Sequence, residues 1–241
     1  EDDPELDVLV VPVGGGGMIA GCAVAAKGLK PSIEVIGVEP DLYPSLTNAL
    51  KRGNIPCEGS TIGEGIAVRA IGATALPLIE EHVKDVVTVS ETSMERAVSM
   101  FLSRDKVVAE GAGAASLAAL IEHPALFAGR RVGLVLSGGN IDARMLSSVL
   151  MRDLLRLGQV LTLSIAMPDK PGQLNAVASI CADLGANVLE VAHTRFAMDL
   201  SASAARLNIT IETRDEAHAQ LVITRLTEAG FTIRIKDPTE P

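Results

Sequence analysis

The sequence predicts an α/β protein of two domains, a mainly parallel sheet domain followed by a smaller βαββαβ domain. Segments typical of strands and helices alternate from Leu6 to Leu157, and four consecutive glycines, Gly14 to Gly17, join the first strand to the first helix. Gly158 then opens a different order of elements: strand, helix, two strands, helix and strand. We therefore expect one domain over residues 1–157 and a second over residues 158–241.

In the first domain, continuous β-branched and apolar runs predict buried strands, while alanine-rich or capped stretches predict helices. The predicted strands are Leu6–Val13, Ile33–Val38, Asp85–Val89 and Arg131–Leu136. The predicted helices are Met18–Leu29, Asp41–Lys51, Glu91–Lys106, Gly111–His123 and Ile141–Leu157. Ser90 is a suitable N-cap, and the glycine-containing stretch from Gly53 to Ala70 is predicted to be a loop.

In the second domain the same signals predict the order βαββαβ, which is the ferredoxin-like arrangement. Its predicted elements are Val160–Met167, Gln173–Leu184, Asn187–Ala197, Ala204–Thr213, Glu216–Ala229 and Phe231–Lys236. Asp215 is expected to cap the second helix, while Gly185 and Gly230 stand where glycines commonly end helices.

The composition favours a cytoplasmic protein that acts on small molecules. Hydrophobic residues make up 48% of the 241 residues, and the net charge of −9 argues against nucleic-acid or anionic-membrane partners. Cys22, Cys57 and Cys181 are far apart and lack metal-ligand spacing, which suits reduced thiols. No apolar run has the length of a membrane span, and no stretch is typical of a signal peptide.

The glycine run is the strongest functional signal in the chain. Four glycines in succession are more than a turn requires, and they allow several backbone N–H groups to face one point. The N-terminus of the following helix adds partial positive charge there. We therefore predict a phosphate site formed by Gly14, Gly15, Gly16, Gly17 and the amide of Met18.

Two ligands are compatible with this turn. A G-x-G-x-x-A pattern beginning at Gly15, with Glu39 at the end of the next strand, also fits a dinucleotide-binding Rossmann fingerprint. Against that alternative, Pro40 stiffens the place where a ribose would approach. A second glycine-rich turn, S-G-G-N at residues 137–140, would also have no role. Two such turns at strand ends favour a ligand held at both its phosphate and its ring.

Five motifs, in order along the chain, carry a family resemblance. They are VPVGGGGMIAG at 11–21, VIGVEP at 35–40, GEGIAV at 63–68, AEGAGA at 109–114 and LSGGNID at 136–142. The chain resembles the pyridoxal-phosphate threonine/serine dehydratases, which have the fold of tryptophan synthase β. The segment VLTLSIAMPDKPGQL at 160–174 looks like the start of the ACT-type regulatory domain of threonine dehydratases. The resemblance thus implies part of a tryptophan-synthase-β-like domain followed by an ACT-type domain.

The resemblance also implies roles for the residues that match its motifs. Gly14 to Gly17 and the amide of Met18 would hold the phosphate of the cofactor, pyridoxal 5′-phosphate. Gly65 would lie near the face of its ring, Glu110 near the ring hydroxyl, and Ser137 at the pyridine nitrogen. Other interpretations stay open, since Glu110 suits a helix start, Ser137 suits a helix N-cap, and the loop around Gly65 is compatible with plain surface.

No metal is expected. Glu39 matches the first ligand of a cation site in some relatives of this family. Ser45 stands where the second carboxylate would be, and one carboxylate makes a poor divalent site.

The expected chemistry needs a lysine that forms a Schiff base with the cofactor and removes the substrate's α-proton. In the family this lysine lies in a Ser-Phe-Lys type segment well before the glycine turn, and no lysine of this chain has that context. We therefore expect the chain to be the C-terminal part of a threonine dehydratase and to be inactive by itself.

For the full protein, the resemblance implies deamination of L-threonine to 2-oxobutanoate and ammonia, with L-serine giving pyruvate. A neutral hydroxyl at Ser137 leaves the ring a weaker electron sink than a carboxylate would, which favours β-elimination over transamination. Serine dehydratases and serine racemases share the first-half motifs and remain alternatives. The motifs do not distinguish a role in isoleucine biosynthesis from a catabolic one.

A different interpretation treats the chain as an amino-acid-sensing or oligomerisation module. Asp169, Gly172, Gln173 and Leu174 form a turn that exposes helix-start amides to an amino-acid carboxylate, and Asn187 is expected to assist from the next strand. The resemblance implies isoleucine or valine as the allosteric effector and a homo-oligomer, since such sites commonly lie between two copies. An ordinary tight turn is the alternative.

Overall fold

The structure is a computed structural model that describes residues 3–195, 201 and 203–236. The chain divides into two compact units, Glu1–Leu150 and Met151–Pro241. The strands of the first unit are β1 (Val8–Pro12), β2 (Glu34–Pro40), β3 (Asp85–Val89) and β4 (Val132–Leu134). Its helices are α1 (Gly17–Leu29), α2 (Ser45–Lys51), α3 (Leu76–His82), α4 (Glu91–Met100), α5 (Gly111–Glu122) and α6 (Pro124–Phe127). Helix α7 (Ala143–Arg156) crosses the division between the units.

The four strands of the first unit form one parallel sheet in the order β3-β2-β1-β4, which confirms the predicted α/β class. Strand β1 lies inside the sheet, and its side chains are buried on both faces, as its continuous apolar sequence requires. Val8 and Val10 pack in a core that includes side chains of α4 and α5. Val11 and Val13 pack in a second core with α1 and α3. Because the strands are parallel, the turns that follow them lie along one edge of the sheet.

Two helices start later than the sequence predicts because polar groups cap them. Helix α2 begins at Ser45, where the carboxylate of Glu39 accepts hydrogen bonds from the N–H groups of Leu46 and Thr47. Helix α7 begins at Ala143, and the preceding Asp142 side chain accepts from the N–H of the third residue of that helix at 2.9 Å. In both cases the predicted helix began earlier, at Asp41 or Ile141, whereas the capping side chain fixes the start of the helix at a later residue.

Other boundaries follow local chemistry. Ser90 caps α4 as predicted, with its hydroxyl accepting from the N–H of Ser93 at 3.3 Å. The predicted helix Glu91–Lys106 changes at Phe101–Asp105 into a π-helical turn. A 3₁₀ turn at Glu64–Ile66 lies inside the predicted loop, and α3 has no counterpart in the prediction.

The second unit has the predicted order of strand, helix, strand, strand, helix and strand. Its elements are β5 (Val160–Pro168), α8 (Gln173–Asp183), β6 (Asn187–Thr194), β7 (Ala204–Glu212), α9 (Glu216–Glu228) and β8 (Thr232–Ile235). The strands form an antiparallel sheet in the order β6-β7-β5-β8. Alternate residues of β5 and β7 pack in one core with side chains of α8 and α9. Residues 196 and 197 of the second predicted strand of this domain, Asn187–Ala197, lie outside the described residues.

Caps also define the helix ends of the second unit. Asp215 accepts from the N–H of His218 at 2.8 Å, and Gly185 and Gly230, which follow α8 and α9, have φ values of +75° and +91°. His218, in the first turn of α9, is buried. Its Nε2 donates to the carbonyl of Leu184, so it ties the start of α9 to the end of α8.

Within the described residues, no helix has both the length and the apolar character needed to span a bilayer. The cytoplasmic location stays a prediction.

The ion pair between Glu34 and Arg130 gives the first unit a testable dependence on pH. Nη2 of Arg130 donates to the Glu34 carboxylate at 2.7 Å, and this hydrogen bond holds the pKa of Glu34 below its usual 4.5. A lowered pKa stabilises the folded state above the unfolded pKa, and this contribution is lost as the pH falls through the folded pKa. We expect Glu34→Gln to lower the free energy of unfolding by up to about 1 kcal/mol at neutral pH, and by progressively less below the usual pKa.

Urea denaturation over a series of pH values measures this difference. Glu80→Gln, at an exposed position of α3, is the control and should have little effect at any pH. An equal loss from Glu34→Gln at all pH values would contradict the assignment.

Candidate cofactor-binding site

The two glycine-rich turns follow the neighbouring strands β1 and β4, and the structure brings both to one pocket. The pocket has a volume of about 260 Å³. Its wall includes all eight residues that the sequence assigns to cofactor binding: Gly14, Gly15, Gly16, Gly17, Met18, Gly65, Glu110 and Ser137. Pro12, Ile19, Ile66 and Ala112 complete the wall. The parallel sheet has thus collected residues that are far apart in sequence.

The glycine turn presents backbone N–H groups to this pocket. Gly16 has a φ of +87° and is the N-cap of α1. The N–H groups of Gly17, Met18 and Ile19 lie in the first turn of α1, where no preceding helical carbonyl is available to accept from them. That turn contains no acidic side chain. These groups therefore supply partial positive charge suited to an anion.

Neighbouring loops hold the glycine turn in shape. A Cβ on Gly16 would lie 3.0 Å from both Ile71 and Ile79, and a Cβ on Gly14 would lie 3.2 Å from the carbonyl oxygen of Gly65. At the other two glycines of the turn, an added Cβ would meet no atom within 4 Å. Two of the four glycines therefore face packed segments, and the other two leave open space.

Glu110 and Ser137 contribute the polar side chains of the wall. Glu110 precedes α5 as its N-cap residue, but its carboxylate makes no capping hydrogen bond. Its N–H donates to the carbonyl of Gly138 at 3.1 Å, which joins the start of α5 to the second glycine-rich turn. Because Asp142 caps α7, the interpretation of Ser137 as a helix N-cap is wrong. Neither the Glu110 nor the Ser137 side chain caps a helix, so both are available to a ligand in the pocket.

Glu39 is buried and is not part of the pocket wall. Its two carboxylate oxygens accept from the hydroxyls of Ser45 and Thr47 and from the N–H groups of Leu46 and Thr47. Burial raises its pKa, although these hydrogen bonds act in the opposite direction. With these donors in place the carboxylate is not free for a ribose, which argues against the dinucleotide alternative. Among the described residues, no three histidine, cysteine or acidic side chains are grouped as a metal site would require.

The second unit separates the predicted effector residues. Four of them follow the end of β5 and lead into α8: Asp169, Gly172, Gln173 and Leu174. Asn187 instead pairs with Glu212, which pairs with Val160 at the start of β5. The ends of this nine-residue strand are about 27 Å apart. All five residues therefore do not come together within one chain, and the prediction of a site between two copies stays a prediction.

Comparison with known proteins decides the family of the first unit. The family model described as pyridoxal-phosphate dependent enzyme matches residues 1–138. The match covers more than half of the chain and every residue of the pocket wall. The chain belongs to the pyridoxal-phosphate dependent enzymes.

The chain is also similar to individual members of this enzyme family, in sequence and in structure. The L-threonine ammonia-lyase of Thermotoga maritima is 38% identical over 237 residues, which cover 98% of this chain and 59% of that protein. The solved structure of a threonine deaminase from the organism abbreviated T.th. is 36% identical, with a TM-score of 0.53, and the match covers 57% of this chain and 51% of that one. The serine racemase structure from Dictyostelium discoideum is 31% identical, with a TM-score of 0.52, and covers 58% of this chain and 46% of that one. The chain spans less than two thirds of the length of these relatives.

The pocket fits the cofactor of this enzyme family. The amide cluster suits a phosphate group, and the Glu110 carboxylate and Ser137 hydroxyl suit a ring that carries hydrogen-bonding groups. A Cβ on Gly65 would lie 3.1 Å from the Cβ of Ala112, so the wall at that point has no room for a side chain. All lysines of the chain fall within the described residues, and none is part of the wall.

Sequence reasoning missed the glycines that bring the walls together. Gly111, Gly113 and Gly138 lie where segments of the pocket meet. The G-x-G spacing in the AEGAGA motif could have indicated a close backbone contact at Gly111 and Gly113. That this segment packs against the SGGN turn is visible only in the folded chain.

The left-handed conformation of Gly16 leads us to predict that the glycine turn does not tolerate a side chain at this position. Gly16→Ala should cost about 1–2 kcal/mol of unfolding free energy, because a Cβ is unfavourable in this conformation and would press on Ile71 and Ile79. Gly21→Ala is the matched control in α1, since its Cβ would meet no atom within 4 Å. Alanine there should stabilise the helix by roughly 0.5–1 kcal/mol. Urea denaturation measures both, and a fully stable Gly16→Ala protein would show that the turn does not require glycine.

Proposed function

We propose that the first unit holds pyridoxal phosphate and that the full protein is a threonine ammonia-lyase. It would deaminate L-threonine to 2-oxobutanoate and ammonia, and L-serine to pyruvate and ammonia. One observation carries this proposal: two glycine-rich turns form a single pocket in a chain 38% identical to an L-threonine ammonia-lyase. The likeness to a serine racemase makes racemisation of serine the second candidate.

Each wall residue has a role in this proposal. Pyridoxal phosphate, when bound, supplies an electron sink for bond changes at the α-carbon of the substrate. The N–H groups of Gly14–Gly17 and Met18 bind its phosphate and fix its position, while Gly65 leaves room beside the ring. Ser137 holds the ring nitrogen through a neutral hydroxyl, which favours elimination over transamination. Glu110 accepts a hydrogen bond from the ring hydroxyl.

Binding of pyridoxine 5′-phosphate tests these roles. This probe carries the ring, hydroxyl and phosphate of the cofactor but no aldehyde that would react with surface lysines. Ser137→Ala should weaken its binding about fivefold, the effect of one hydrogen bond of about 1 kcal/mol, and leave binding of inorganic phosphate unchanged. Isothermal titration calorimetry measures both ligands. Ser32→Ala, at an exposed position before β2, is the control.

The outcomes of this titration separate the parts of the proposal. Binding of phosphate without tighter binding of pyridoxine 5′-phosphate would contradict the assignment of the ring site. Binding of neither ligand would contradict the cofactor proposal as a whole.

We further propose that the 241-residue chain does not itself deaminate threonine, because no lysine is part of the described pocket wall. With pyridoxal phosphate and L-threonine added, we expect no 2-oxobutanoate above the level of a protein-free control. Reaction of the keto acid with dinitrophenylhydrazine measures the product. Turnover by the purified chain would show that one of its own lysines serves as the base.

For the second unit we propose an ACT-type, ferredoxin-like regulatory domain over residues 158–241, following the C-terminal part of the catalytic domain over residues 1–157. The strand order β6-β7-β5-β8 and the two helices support this assignment. Isoleucine or valine would bind at the turn before α8, where Gly172 has a φ of +92°. Asn187 would complete the site from a second copy, in a homo-oligomer.

Calorimetric titration of the chain with isoleucine and valine tests the regulatory proposal. We expect heat from at least one of them and none from glycine, which lacks an aliphatic side chain. Asn187→Ala should weaken this binding without changing the secondary structure measured by circular dichroism. An absence of heat from both aliphatic amino acids would contradict an effector role.

A further inference from the structure

The two walls of the pocket meet through backbone atoms. Besides the hydrogen bond from the Glu110 N–H to the Gly138 carbonyl, a Cβ on Gly113 would overlap that same carbonyl oxygen. A Cβ on Gly139 would lie 2.7 Å from the carbonyl oxygen of Val108. The start of α5 and the turn after β4 therefore approach more closely than side chains between them would permit.

Gly138 differs from the other glycines in what its missing side chain would meet. An added Cβ would overlap Oε1 of Glu110 and would lie 2.9 Å from its Cδ and 3.4 Å from its Cγ. These three nearest atoms all belong to one flexible side chain. Gly138 has no positive φ, so its backbone conformation does not itself require glycine. The carboxylate of Glu110 therefore occupies the space that a side chain at 138 would fill.

The same carboxylate is bounded on another side by Gly65, whose added Cβ would lie 3.8 Å from Oε1 of Glu110. Glu110 makes no capping bond to α5. Among the described residues no ion pair is formed by its carboxylate. Its place in the wall is therefore set by the space that Gly138 leaves, since a Cβ on Gly65 would only be in ordinary contact with it.

We propose that Gly138 is a positioning residue for Glu110. By lacking a side chain, it admits the Glu110 carboxylate to the pocket wall, where that carboxylate accepts a hydrogen bond from a hydroxyl-bearing, phosphate-anchored ring. This inference rests on the proposed binding of pyridoxal phosphate. It gives the second glycine-rich turn two tasks, since Ser137 contacts the ligand and Gly138 places a second group against it.

The proposal predicts different effects for alanine substitutions at Gly138 and Gly113, which both lie where the start of α5 meets the turn after β4. In Gly138→Ala the overlap is with the end of a flexible side chain, so rotation of Glu110 relieves it and the fold is kept while the carboxylate leaves its place. In Gly113→Ala the overlap is with a backbone oxygen, which no side-chain rotation relieves. We therefore expect Gly113→Ala to lower the Tm by several degrees and Gly138→Ala to change it by much less.

Titration with pyridoxine 5′-phosphate and with inorganic phosphate supplies the functional readout. Gly138→Ala and Glu110→Ala should each weaken binding of pyridoxine 5′-phosphate on the order of tenfold, because a hydrogen bond to a charged group is lost. Neither should change the binding of inorganic phosphate, which needs only the glycine turn. The double variant should bind like Glu110→Ala alone, since Gly138 acts through Glu110.

Melting temperatures give a readout that needs no ligand. Gly138→Ala should cost less stability in the Glu110→Ala background than in the wild type, because the group it displaces is absent. Gly113→Ala should cost the same in both backgrounds. The proposal would be overturned if Gly138→Ala were as destabilising as Gly113→Ala. It would also be overturned if adding Gly138→Ala to Glu110→Ala weakened binding of pyridoxine 5′-phosphate further.

The titrations distinguish failure of this inference from failure of the proposed function. If Glu110→Ala weakens binding of pyridoxine 5′-phosphate and Gly138→Ala does not, the cofactor proposal stands and the positioning role falls. If wild-type protein binds no pyridoxine 5′-phosphate, both fall together.

Discussion

Close approach of backbone segments at the carboxyl edge of the parallel sheet is the constraint on which the first unit depends. At this edge Gly14 lies against Gly65, and Gly113 lies against Gly138. A Cβ on Gly111 would overlap the carbonyl oxygen of Ile62. Because these positions lack side chains, peptide groups can form much of the wall. The pocket wall consequently combines backbone groups of the glycine-rich segments with apolar residues such as Met18 and Ile66 and with two polar side chains, those of Glu110 and Ser137.

Helix N-termini explain how such a wall tolerates both an anion and a carboxylate. Helix α1 begins at the glycine turn, and α5 begins beside Glu110, so both helices point their N-terminal N–H groups toward the same region. Partial positive charge at the first is available to a phosphate, whereas at the second it favours the Glu110 carboxylate. The conformational cost of many glycines is offset by the tightly packed core behind them, where Val8 and Val10 are fully buried.

The sequence was sufficient for every strand and for the grouping of the site, and for a physical reason, although it missed α3 and the π-helical turn at Phe101–Asp105. Strands buried on both faces, such as β1, have apolar runs that no exposed segment imitates, and a parallel sheet necessarily gathers the turns after its strands. The starts of α2 and α7 were beyond it, because the caps at Glu39 and Asp142 act through side-chain contacts. The position of Asn187 at the other end of the sheet from the turn before α8 was also beyond it, since a motif records spacing along the chain and not which end of a sheet a residue reaches.

A phosphate site built from peptide groups has a consequence for how binding responds to pH. Peptide N–H groups do not titrate in the physiological range, so the affinity of the glycine turn for phosphate follows the charge of the ligand, whose second ionisation falls near pH 6. Of the described residues in the wall, Glu110 is the ionisable one. The side chains that would tune recognition are thus confined to Glu110 and Ser137, and the turn after β4 supplies one of them and makes room for the other. The pocket therefore offers two separate sets of groups: the N–H groups of the glycine turn after β1, and the side chains of Glu110 and Ser137 where the turn after β4 meets the start of α5.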